Sequence, residues 1–121
     1  MNTYEIKVTW NQMFPERVVA LGGTVITAEK TFEFKSETSM SIDEICEAVY
    51  RDTNWYTGSV WDAMQPLPEV RSHTALSIGD VVTVNGIEML CSEFGFQCQN
   101  VDKLLAMCLE SCTSPNNFAK S

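Results

Sequence analysis

Basic residues are scarce in this chain: eight Lys and Arg stand against sixteen Asp and Glu, a formal charge of -8. Broad contact with a phosphate backbone needs clustered cations, so direct nucleic-acid binding is not expected. Histidine is scarcer still, with His73 alone. Two-histidine metal sites and the metalloprotease helix motif are therefore out of reach for one chain. No apolar run approaches the roughly 18 residues that span a bilayer, and no membrane association is expected. The opening residues, Met1 to Lys7, lack the basic and apolar regions of a secretion signal, so a cytoplasmic location is expected. There is no P-loop, no dinucleotide fingerprint and no nucleophile elbow, and no cofactor is expected.

Five cysteines, Cys46, Cys91, Cys98, Cys108 and Cys112, form no CxxC knuckle. Structural zinc sites usually carry one, and an odd count fits reduced thiols better than a disulfide framework. Neither metal nor disulfide is expected. Cys91 and Cys98 are seven apart, which on one unbroken strand would point them to opposite faces.

What is present reads as an α+β domain, a small antiparallel sheet with two packed helices. With 121 residues and 45% apolar content, one core is expected, over residues 1–114, with a polar tail at 115–121. Thr3 to Trp10 alternates, with Tyr4, Ile6, Val8 and Trp10 on one face. Thr24 to Phe34 reads as a second strand, by default antiparallel to the first. Ser41 and Glu44 make a capping box for a helix over Ser41–Asp52, whose Ile42, Ile45, Cys46 and Val49 share one face. Asp52-Thr53-Asn54 should end it. Trp55 to Val70 has little periodicity; a single helical turn at Ser59–Met64 is allowed, and Pro66 and Pro68 bar a longer one. Gly79 and Asp80 shape a turn. Asp80–Val84 and Ile87–Cys91 make a hairpin around Asn85-Gly86, since both turn positions take positive φ. The second hairpin strand is expected to run on toward Gln97, bent at Gly95. Asp102–Cys112 reads as a second helix.

Candidate functional residues are few. Asp43 and Glu47, four apart, should face solvent together on the first helix. The stretch from Ser36 to Tyr50 holds Glu37, Asp43, Glu44 and Glu47 with no Lys or Arg. From Ser72 to Asp102, Asp80, Glu88, Glu93 and Asp102 again occur without a cation. Such acids either keep the chain soluble or complement a basic surface on a partner. Trp55, Tyr56 and Trp61 either close the mouth of the core or present a partner-binding surface. His73 has no cysteine at a spacing that suggests Cys-His catalysis.

Arg71-Ser72, Leu76 to Val82, Asn85-Gly86, Cys91 and Gly95-Phe96, preceded by Ala48 to Trp55, together resemble a segment of small accessory proteins carried by phages and plasmids. The likeness spans residues 42–97. His73-Thr74-Ala75 is an insertion relative to that pattern, and Ile78 stands where valine is common. The resemblance implies a mobile-element context, in the host cytoplasm, and no assigned enzymatic activity or cofactor. The expected function is a non-enzymatic inhibitor that binds a host protein with a basic surface, such as a CRISPR effector nuclease. The alternatives are a self-associating structural or regulatory protein, for instance a homodimer, and a small enzyme using His73 and a cysteine.

Overall fold

The computed structural model of the protein describes residues 1–102 and residue 105. Five strands form one antiparallel sheet in the order β2-β1-β3-β4-β5: β1 Asn2–Trp10, β2 Ala28–Ser36, β3 Val81–Val84, β4 Ile87–Ser92 and β5 Gly95–Cys98. Among the described residues three helices accompany it: α1 Pro15–Ala20, α2 Ile42–Trp55 and α3 Ser59–Met64. This is a small α+β fold, as the patterning indicates. Apart from Asp102 and Leu105, the helix expected over Asp102–Cys112 and the tail at 115–121 lie outside the described residues, as do Cys108 and Cys112. No described helix is long and apolar enough to cross a membrane.

Alternation in β1 sets the layers. Ile6, Val8 and Trp10 are fully buried, while Lys7 and Thr9 between them are half-buried and Glu5 before them is exposed. β2 pairs with β1 along its whole length, from Asn2 opposite Ser36 to Trp10 opposite Ala28. It starts at Ala28 rather than Thr24, because the alternation that a half-buried strand requires begins only there. β3 covers only Ile6 to Thr9 on the other side of β1. Val82, Val84, Ile87 and Met89 continue the buried face across β3 and β4, and α2 and α3 close it with Ile45, Cys46, Val49, Val60 and Met64. The open face carries Glu5, Lys7, Thr31, Thr83 and Glu88. One wet face and one dry face is the usual state of an antiparallel sheet.

The Asn85-Gly86 hairpin forms with φ of 48° and 88°, the two positive values that a tight primed turn demands. Asn85 Oδ1 also accepts from the Glu5 backbone N–H. Beyond Ser92 the chain does not run straight on. It reverses through Glu93 and Phe94 into β5, pairing Ser92 with Gly95. Gly95 at φ 104° permits that reversal. The expected single bent strand is thus a second hairpin, and Cys91 and Cys98 share the core-facing side because the reversal resets their parity.

In α2 the capping box is complete: Ser41 Oγ accepts from Glu44 N–H at 3.1 Å, and Glu44 Oε1 accepts from Ser41 N–H at 3.0 Å. The helix runs through Trp55, past the expected stop at Asp52. Asp52 and Thr53 are buried helix residues, and termination falls to Tyr56 at φ 55°. α1 buries none of its residues.

Candidate functional site

Two buried carboxylates organise the segments around the core. Asp52 Oδ2 accepts from the N–H groups of Val60 and Trp61 at 3.0 and 3.2 Å, capping α3 from outside. Arg51 Nε meets its other oxygen at 3.0 Å. Thr53 Oγ1 donates to the Val49 carbonyl and accepts from Leu76 N–H, tying α2 to the loop before β3. Asp80, expected as a turn former and as one of the acids of the second cation-free stretch, is fully buried and so offers no charge to the surface. It accepts from Asn11 N–H on one oxygen and from Ser77 N–H on the other. His73 Nε2 lies 2.6 Å from that second oxygen, and Ser72 Oγ lies 2.7 Å from His73 Nδ1. Thr74 is knitted in beside them: it takes the Trp10 indole N–H on its carbonyl and the Arg71 side chain on its hydroxyl.

Serine, imidazole and carboxylate in line are the components of a hydrolytic relay. Acyl transfer also needs a cavity beside the nucleophile. Neither Ser72 nor His73 lines any of the three grooves described below or on the open sheet face. Asp80, which accepts from Asn11 N–H and Ser77 N–H and lies against His73, ties the 71–80 loop to the end of β1. Burial pushes the Cys46 thiol up to about 12, reinforced by the negative charge of Asp43, Cys91 and Glu47. Burial, and after it Asp80, also raises Cys91. A cysteine nucleophile needs the reverse, a stabilised thiolate. Among the described residues no three Cys, His, Asp or Glu side chains gather as metal ligands.

The feature with binding chemistry is a groove of about 500 Å³ between α2 and the β4–β5 hairpin. Asp43 and Glu47 line it from the helix, both exposed, and Tyr50 continues the same stripe. Glu93 and Phe94 line it from the hairpin turn, and Phe96 from β5. Tyr50, Cys91, Ser92 and Glu93 also border an adjoining groove of about 360 Å³ that extends past Asn54 and Met13. The two trough segments therefore follow Asp43, Glu47, Tyr50 and Asn54, spaced as one side of a helix requires. The two cation-free stretches of the sequence meet at this trough. None of Asp43, Glu47 and Glu93 pairs with a Lys or Arg among the described residues. Phe94 is 91% exposed at its rim.

Phe94 was not legible beforehand; the signal for it is an aromatic residue at the tip of a tight turn, where the core cannot reach it. The acids Asp80 and Glu88 from the same cation-free run do not join the trough: the first is internal and the second belongs to the open sheet face. Trp55 and Tyr56 do not close the core. They are 75% and 61% exposed at the end of α2, and Tyr56 stacks obliquely on Trp61 with centroids 5.4 Å apart. Gly79, Asp80, Asn85 and Gly86 occupy turns, as their residue types imply. No protein-family model, curated protein or solved structure matches the chain.

Proposed function

We propose that this protein is a non-catalytic binding module whose acidic, aromatic trough takes Lys or Arg side chains from a basic surface of another protein. The observation that carries this reading is the convergence of Asp43, Glu47 and Glu93 with Tyr50 and the exposed Phe94 around one groove. Carboxylates neutralise a guanidinium or ammonium head, and aromatic faces take up its charge and its stem. The surplus of acidic residues adds long-range attraction toward such a surface. The resemblance to phage and plasmid accessory proteins supports a host protein as the partner. Basic surfaces that bind nucleic acid, as in a CRISPR effector nuclease, would be blocked by occupancy of this kind.

The test uses an Arg- and Lys-rich decapeptide as probe, with titration followed by backbone NMR at low salt. Shifts should concentrate at Asp43, Glu47, Tyr50, Glu93 and Phe94. Glu93→Lys should weaken the peptide about tenfold, the scale of reversing one charge close to a cation. Glu88→Lys changes net charge equally from the opposite face and should cost far less. Equal loss from both variants would mean that net charge alone attracts the peptide, and the trough would be ruled out as the site.

A further inference from the structure

We infer that the free edge of β2 is a self-association site, through which two copies join their sheets antiparallel about a two-fold axis at Phe32. β2 ends the sheet, with β1 as its one neighbour among the described residues. Which of its backbone groups face outward follows from β1. Glu5 N–H donates to Asn85 Oδ1 and Glu5 C=O accepts from Asn85 N–H, so Glu5 faces β3. Backbone direction alternates along a strand. Tyr4, Ile6, Val8 and Trp10 therefore face β2, where their register partners are Phe34, Phe32, Lys30 and Ala28. The N–H and C=O groups of Glu29, Thr31, Glu33 and Lys35 point away from the sheet. None of the described residues hydrogen-bonds to them.

Charged side chains on an edge strand usually discourage pairing. Here they select one register. With Phe32 opposite Phe32 of the second copy, Glu29 lies opposite Lys35 of that copy, Thr31 opposite Glu33, and the same pairs recur by symmetry. Every outward-facing residue then exchanges both its hydrogen bonds, and opposite charges meet at both ends, an arrangement that stabilises cross-strand pairs. Sliding by two residues one way sets Glu29 against Glu33 of the other copy. Sliding the other way sets Glu33 against itself, and either shift leaves an outward-facing residue unpaired. The opposing charges are free to take part: the contacts Lys7–Glu29 and Lys35–Glu33 within one chain, at 3.5 and 3.6 Å, are largely solvent-exposed and hold little energy. The acidic trough lies toward the other end of the sheet, against β4 and β5, so the dimer leaves it open.

Sedimentation and light scattering of the whole chain from micromolar to millimolar concentration should give twice the 13.6 kDa chain mass at the upper end. Thr31→Pro removes an outward N–H that an edge strand can spare; it should keep the circular dichroism of the fold and stay monomeric. Glu29→Lys alone and Lys35→Glu alone should each be monomeric as well, since like charges then oppose at both ends. Mixed one to one, these two variants should recover the dimer, and the double variant should dimerise by itself. A wild-type chain monomeric at millimolar concentration would overturn the inference. So would a Thr31→Pro chain that folds and still dimerises, or charge variants that fail to associate on mixing. Should Thr31→Pro unfold, the mixing result alone decides. Loss of peptide binding in the trough has no bearing on these outcomes.

Discussion

Replacing Gly58 with Ala drives a methyl group into a buried carboxylate. Gly58 precedes α3 with φ of 122°, a value that side-chain-bearing residues rarely adopt; holding one there costs about 1–3 kcal/mol. A methyl at this position would also overlap the carboxylate of Asp52, a side chain that is 1% exposed and cannot swing into solvent. Displacing it would strip the acceptor from Val60 and Trp61 N–H. Leaving buried donors unpaired costs about 1–3 kcal/mol more. Together the loss is about 2–6 kcal/mol, a large fraction of the roughly 5–15 kcal/mol that stabilises a typical domain. In a chain of this size the melting temperature should fall by on the order of 10–20 °C. Urea unfolding followed by circular dichroism measures it, and a double-mutant cycle with Asp52→Ala isolates the cause. With the carboxylate already gone, the added methyl meets space, and only the backbone strain of about 1–3 kcal/mol remains. Additive costs in the double variant, or a Gly58→Ala chain within about 0.5 kcal/mol of wild type, would refute the account of this cap.

Gly86→Val should destabilise the β3–β4 hairpin by about 1–3 kcal/mol, because φ of 88° strains a β-branched residue; a neutral result in thermal unfolding would contradict the turn geometry. Ser41→Ala should cost about 1 kcal/mol through loss of the α2 cap. It should also raise the Glu44 titration in part, read by carboxyl NMR: the Ser41 backbone N–H, the main hold on that carboxyl, remains, while the side-chain hydrogen bond that also lowers it is lost. The sign follows: in the wild type the Glu44 contribution is present above its unfolded pKa and is lost as pH falls through the lower folded value. Alkylation of the native chain at pH 8, resolved by mass spectrometry of peptides, should leave Cys46 and Cys91 unmodified while unfolding exposes both. Rapid native labelling of Cys46 would show that it is not the buried thiol described.

Local pattern was enough for much of this protein. Period-two alternation marks β1, the Asn85-Gly86 pair marks its hairpin, and Ser41 with Glu44 marks the start of α2. In each, the interactions that decide the structure lie within a few residues along the chain, so residue type and spacing suffice. Asp43 and Glu47 were legible as an outward-facing pair for the same reason. The end of α2 was not. Asp52, Thr53 and Asn54 carry the residue types that stop helices, yet Asp52 serves α3 eight residues on, and Thr53 serves Leu76. Such partners outbid local preference because a buried donor left unpaired costs more than an unfavourable helix residue. The trough was likewise beyond local reach: Asp43 and Glu47 meet Glu93 and Phe94 only because β4 turns back at Gly95 against α2. The free edge of β2 is of the same kind. Its residues announce a strand by themselves, but which side of it stays open depends on β3 pairing with the far side of β1, a contact between residues that lie more than seventy positions apart.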